Sequence, residues 1–143
     1  MTMQISYFCF LVGAAAGLVG MGLGIGMGVA QDFSLTPVHA HLNLLGWVSM
    51  ALYGLYYRTS PRPASRLAWT QVLMATAGFV AMTGGLWVYL SGSSGTLAQP
   101  VVVCGAVLTT ASMSLFIIVL CKDLVRSSGR LPALRSWRLN RKD

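Results

Sequence analysis

The chain has 143 residues, of which 55% are hydrophobic and 9% charged, with a formal net charge of +7. A soluble domain carries roughly 25% charged residues, so this composition excludes a water-soluble globule and fits one membrane domain. Cys9, Cys104 and Cys121 all fall in apolar stretches without a CxxC pair, which excludes a disulfide framework, a zinc finger and a thiol oxidoreductase.

A membrane helix needs about 20 apolar residues to cross roughly 30 Å of hydrocarbon. Four stretches meet this. They predict an all-α integral membrane four-helix bundle, antiparallel up-down and oligomeric, with 1–143 as a single transmembrane domain. The first stretch, about 5–29, lacks a basic n-region and is too long for the h-region of a signal peptide, so it reads as a helix. Within it Gly20, Gly24 and Gly28 recur every four residues along one face, and Gly22 and Gly26 form a second row. Such rows let another helix approach closely and leave room for a flat porphyrin. No strand precedes them, so they are not a dinucleotide fingerprint.

The second stretch, about 37–57, opens with Thr36 as N-cap and Pro37 at the first helical position. It carries the only two histidines, His39 and His41. Ionisable side chains at this depth are rare and usually functional. Residues two apart on an α-helix differ by about 200°, so the two rings point to opposite faces and cannot share one iron. A closed zinc site wants ligands at i and i+4 or several more residues, and here there is no third His, no Glu, and only Asp32 on that side.

The third stretch is about 67–90 and the fourth about 101–120, with Pro100 able to open it and a basic tail over 121–143. The connections are short, which makes neighbours antiparallel. Arg58, Arg62 and Arg66 lie in the second connection. Lys122, Arg126, Arg130, Arg135, Arg138, Arg141 and Lys142 lie at the C-terminal end, and the first and third connections have no Lys or Arg. The positive-inside rule then puts both termini in the cytoplasm and the histidines near the outer face, as in the inner membrane of a bacterium. The basic tail reads as topology charge and a surface for anionic lipid, not for nucleic acid. Trp69, Trp87 and Tyr89 fit interfacial aromatic belts.

The stretch Pro37-Val-His-Ala-His-Leu-Asn-Leu-Leu-Gly-Trp-Val-Ser-Met-Ala-Leu-Tyr-Gly-Leu-Tyr-Tyr-Arg-Thr-Ser-Pro-Arg62 resembles the tenth helix of the catalytic subunit of heme-copper oxidases, and most of all that of the cbb-type cytochrome oxidases. The matching residues are His39, His41, Leu45, Gly46, Trp47, Val48, Gly54, Tyr56, Pro61 and Arg62, within about 26 of 143 residues. The whole chain looks like the last four helices of that subunit, one of its three arcs, standing alone. The resemblance implies that His39 binds a high-spin heme and His41 a low-spin heme, so that both are ligands to heme iron, with heme b as cofactor. The oxidase copper site uses three further histidines and a tyrosine on other helices. Those histidines are absent here, so oxygen reduction by this chain alone is not implied.

The expectation is a b-type heme protein for electron transfer or for redox or gas sensing near the outer face. It would assemble as a homo-oligomer, a dimer or trimer, that shares heme between protomers and meets a redox partner. Bis-His ligation needs a second protomer, and propionates would meet Gln31, Ser34, Thr36, Trp87 or Gln99 in place of basic residues. The alternative is a non-enzymatic membrane subunit or assembly factor of a respiratory oxidase, without its own cofactor. Copper handling by Met21, Met27, Met50, Met74, Met82 and Met113 with the cysteines is a third reading, and the lack of clustered MxxM or CxxC weighs against it.

Overall fold

The structure is a computed structural model that describes residues 2–60, 65–92 and 96–128. Pro61, Arg62 and most of the basic tail lie outside the described residues. Among the described residues all regular structure is helical. Helix α1 spans Thr2–Ala30. Helix α2 is built of three segments in series: an α-helical turn Thr36–His41, a π-helical segment Leu42–Val48 and an α-helical segment Ser49–Thr59. The junction residues all keep right-handed helical dihedrals (His41 φ −68°, ψ −37°; Val48 φ −65°, ψ −49°), so α2 runs on without a break. Helices α3 and α4 span Arg66–Leu90 and Ala98–Ser128.

Three helices, α1, α3 and α4, are long and apolar enough to cross a membrane as they stand. Their surfaces agree: Leu11, Leu18, Ile25 and Val29 on α1, and Val107, Ile117 and Leu124 on α4, are all exposed. Water does not tolerate apolar surface of that extent on a monomer; lipid covers it without cost.

The neighbours are antiparallel, as expected from the short connections. Along α1 and α2 the contacts pair Gly24 with His39, Gly20 with Asn43, Gly17 with Trp47, Gly13 with Met50, and Cys9 and Phe10 with Gly54. α2 meets α3 where Gly46 faces Phe79 and Tyr57 faces Gln71. The tightest pair is α3 with α4. A Cβ on Gly78 would lie 2.8 Å from the Thr109 nitrogen, and one on Gly85 3.0 Å from the Val102 nitrogen. Small residues let these backbones touch, which is how helices gain contact energy where lipid is as apolar as leucine.

Four ends differ from the sequence expectation. Leu35, not Thr36, is the N-cap of α2; Thr36 is the first helical residue, and its hydroxyl donates back to the Phe33 carbonyl at 2.6 Å. α4 opens at Ala98, so Pro100 sits in the first turn, where its missing N–H is no loss. α4 also stays helical through Ser128, well past the end of its apolar run. α3 gains a cap at Ser65, whose hydroxyl accepts from the Ala68 N–H at 3.2 Å, worth about 1 kcal/mol.

The core lies toward the basic end. Ile5, Cys9, Met50, Tyr53, Tyr57, Ala68, Val72 and Val119 are buried there, and Phe116 meets the rings of Tyr53 and Tyr56 at 4.8 and 5.2 Å. Three polar side chains inside it, Tyr57, Gln71 and Ser112, are paired across helices. Tyr57 donates to Gln71 Oε1 at 3.0 Å, and Gln71 Nε2 donates to Ser112 Oγ at 3.1 Å. Ser112 Oγ in turn donates to the Gln71 carbonyl at 2.9 Å. Tyr56 donates to Asp123 Oδ2 at 2.6 Å. Arg58, Arg66, Lys122 and Arg126 all sit at this end of the helices, and the two histidines at the other.

Candidate functional site: the histidine turn and its glycine seat

The connection into the site is short and well tied. Gln31 takes a left-handed conformation (φ 52°), and the Asp32 N–H bonds the Met27 carbonyl at 3.2 Å, which closes α1 in a Schellman motif with glutamine in the position glycine usually holds. Asp32 Oδ1 accepts from the Ser34 N–H at 3.0 Å. That bond, with the Ser34 hydroxyl, holds the exposed Asp32 carboxyl below its ordinary range.

His39 and His41 sit two residues apart on the first turn of α2, and each is half-buried. Their partners differ. His39 Nδ1 lies 2.8 Å from the Gly20 carbonyl of α1. His41 Nδ1 lies 2.6 Å from the carbonyl of Pro37 in its own turn. A carbonyl only accepts, so in both rings Nδ1 carries the hydrogen and Nε2 of the neutral ring is left as a lone pair. The different partners agree with the expected divergence of the two rings.

The His39 ring rests on α1 where glycine leaves space. A Cβ on Gly24 would stand 2.8 Å from His39 Cε1 and 3.1 Å from Nδ1. Asn43, one turn on, occupies the same kind of place over Gly20, where a Cβ would stand 2.6 Å from Nδ2. Its amide donates to the His39 carbonyl at 2.8 Å. The 3.5 Å approach of Asn43 Nδ2 to His39 Nδ1 is not a second bond, since both atoms are donors once Nδ1 serves Gly20. Gly20 and Gly24 therefore pack against α2, whereas Gly22, Gly26 and Gly28 meet no side chain within 4 Å.

Directly after the histidines comes the π-helical segment. Ser49 closes it: its N–H bonds the Leu44 carbonyl, five residues back, and its hydroxyl donates to the same oxygen at 2.8 Å. Gly46 sits inside it, with room for no larger residue: a Cβ there would lie 2.6 Å from Ala16 Cβ and 3.2 Å from Phe79. Sequence reasoning found the histidines and the glycine rows but missed Asn43 and the π segment. The available signal was a polar residue in an apolar span, four after His39 and four before Trp47, a spacing longer than the α-helical repeat.

The donor set suits an axial heme ligand. Ligating histidines nearly always donate the far ring N–H to a carbonyl or carboxylate, which fixes the tautomer, and a heme iron takes one imidazole per face. Among the described residues no group of three or more His, Cys, Asp and Glu side chains gathers. The chain matches no family model, no curated protein and no solved structure.

Proposed function

We propose that this is a b-type heme-binding membrane protein, similar to one arc of a heme-copper oxidase subunit, in which His39 and His41 would hold the heme iron. The observation that carries the reading is the state of the two rings: each Nδ1–H is engaged by a backbone carbonyl, which leaves the lone pair of each Nε2 for a metal. Heme held there supplies a one-electron iron couple. The residues of this chain orient the ligand rings, and the apolar surfaces of α1 and α2 keep water from them.

The two rings are committed to different surroundings, so an iron with two histidines takes one from each of two protomers. The assembly is then a homo-oligomer, a dimer or trimer, with electron transfer or redox or gas sensing as its role. Oxygen reduction is not part of the proposal, because the copper ligands of the oxidases have no counterpart among the histidines of this sequence. The basic helix ends support a reading with the N- and C-termini in the cytoplasm and the histidines toward the outer face of a bacterial inner membrane, with lipid and a redox protein as partners.

Purification in mild detergent with hemin supplementation, followed by a visible spectrum and a pyridine hemochrome assay, tests this. A Soret band that is lost in His41→Ala is expected. No Soret band in the wild-type chain sinks the idea.

One observation favours a second reading, a cofactor-free subunit or assembly factor of a respiratory oxidase. The Gly20 and Gly24 seat accounts for His39 as a packing residue with an interhelical hydrogen bond. This reading requires a stable chain without heme that co-purifies with an oxidase.

A further inference from the structure

The contacts of α2 with α1 have an uneven spacing. His39, Asn43 and Trp47 meet Gly24, Gly20 and Gly17, in steps of four residues. Met50 and Gly54 then meet Gly13 and Cys9, in steps of three and four. In an α-helix a step of four overshoots a full turn by about 40°, so two successive steps carry Trp47 about 80° out of line with His39. A π turn, bonded from i to i+5, is wider and holds more residues. The segment Leu42–Val48 therefore cancels the drift and keeps His39, Asn43 and Trp47 in one line over the glycine row. Below it, the α-helical spacing returns, and Tyr53 and Tyr57 reach the core.

The sequence holds this segment in place at three points. Ser49 satisfies the Leu44 carbonyl twice, with N–H and hydroxyl. Gly46 lets α2 pass between Ala16 and Phe79. Asn43 rests on Gly20 and donates to the His39 carbonyl at 2.8 Å, while the Gly20 carbonyl takes the His39 Nδ1 hydrogen at 2.8 Å. His39 and Asn43 are thus seated on the same residue of α1, and moving one displaces the other. His41 is outside this arrangement, since its carbonyl partner belongs to its own turn.

We infer that the π-helical segment is a register device for His39, and that Asn43 is the positioning residue that holds the His39 backbone over the glycine seat, so that its imidazole reaches the Gly20 carbonyl. That such a ring then serves as a ligand rests on the heme reading above; the positioning itself does not. A π turn holds an extra residue, so deletion of Leu44 restores an α-helix with both halves of α2 in their present relation, whereas deletion of Leu52, in the α-helical segment, turns His39 by about 100° relative to the tyrosine half. Asn43→Asp keeps the shape but cannot donate to the His39 carbonyl.

The test uses the full chain in lipid nanodiscs, labelled with 15N-histidine, with the two rings assigned through His41→Asn. In the wild type both rings are expected as the Nδ1–H form. In Asn43→Asp and in the Leu52 deletion the His39 tautomer ratio is expected to fall about five-fold, the ratio set by one net hydrogen bond, with His41 unchanged, while the Leu44 deletion keeps the wild-type ratio. An unchanged His39 ratio in Asn43→Asp and the Leu52 deletion, the same ratio in the two deletions, or an equal shift at His41, overturns the inference. If Asn43→Asp does not assemble, Asn43→Ala is read in the same way. In a hemin-loaded sample Asn43→Asp is expected to weaken binding about ten-fold, as loss of an outer-shell partner does. Wild-type chain that shows the tautomer pattern but takes up no hemin defeats the heme reading and leaves this inference standing. Hemin binding and tautomers that both ignore Asn43→Asp do the reverse.

Discussion

Gly24→Ala probes the seat of His39 directly. The new methyl would stand 2.8 Å from His39 Cε1 and 3.1 Å from Nδ1. An ordinary carbon contact needs 3.4 Å or more, so the ring must withdraw by roughly 0.6 Å. The ring is the end of a rotatable side chain, so little backbone strain follows. Its hydrogen bond is another matter. A bond now 2.8 Å long, stretched by that amount, passes beyond the 2.7–3.2 Å range of a working N–H···O contact. The loss of one interhelical bond in a membrane costs about 0.6 kcal/mol on average and at most about 1.7. Gly24→Ala is therefore expected to destabilise by about 1 kcal/mol, measured by reversible unfolding in mixed micelles with far-UV circular dichroism. Gly26→Ala is the control. It meets nothing within 4 Å and should stay within about 0.5 kcal/mol of the wild type. Equal effects at the two positions would refute the seat, because the chemistry of the two substitutions is the same and only the neighbour differs.

Gly105→Ala should cost more, about 1–3 kcal/mol, on the same unfolding measurement. Its methyl meets the backbone of Met82 and the Gly78 carbonyl at 2.7 Å, which no rotamer change relieves, so α3 and α4 must part. Gln71→Leu leaves the buried Tyr57 hydroxyl without its acceptor and is expected to lose about 1–3 kcal/mol. The double variant with Tyr57→Phe should recover most of that, since removing both partners is nearly neutral; a double variant as unstable as the single one would show the bond to be idle. For Asp32 the folded carboxyl is held below its ordinary range, so its contribution is present above the unfolded value of about 3.9 and is lost as pH falls through the folded one. Unfolding midpoints should thus drop from about pH 4 downward, and Asp32→Asn should lack that step.

The four helices were legible because apolarity over 20 or more residues is a membrane requirement that few other structures share. Their ends were less so. Hydropathy reports where lipid stops, and α4 continues to Ser128 because Lys122, Asp123 and Arg126 form helix as readily in water as leucine does in lipid. The glycine rows were legible as close-packing faces, yet of the five glycines in those two rows Gly20 and Gly24 meet α2 while Gly28, on the same row, is open. The reason is the crossing of the two helices: contact lasts only as far as α2 begins, at Thr36. The histidine pair was visible as polar residues in an apolar span. Its partners were not, because Gly20 and Pro37 act through backbone carbonyls, which every residue has. The π segment was hidden for a similar reason. Its residues, Leu-Asn-Leu-Leu-Gly-Trp-Val, are as apolar as those of an α-helix, and only the spacing of contacts across to α1 reveals the wider turn.

Under the proposed function, the commitments of the two rings also set how many hemes a complex would hold. His39 is directed by α1 and His41 by its own turn, so the two rings of one chain do not meet at one iron. In a closed ring of protomers every interface is the same and joins unlike surfaces. Each interface then pairs one His39 with one His41, and the count is one heme per chain. In a two-fold dimer the axis pairs like with like, so a heme on the axis between two copies of His41 gives one heme per two chains. A pyridine hemochrome assay against protein concentration separates these, with the mass of the detergent-solubilised complex fixing the number of chains. One heme per chain in a trimer is the outcome expected of an arc that repeats around an axis. Two hemes per chain would mean that each histidine finds a separate iron whose other ligand comes from elsewhere, and the shared-heme arrangement would have to be abandoned.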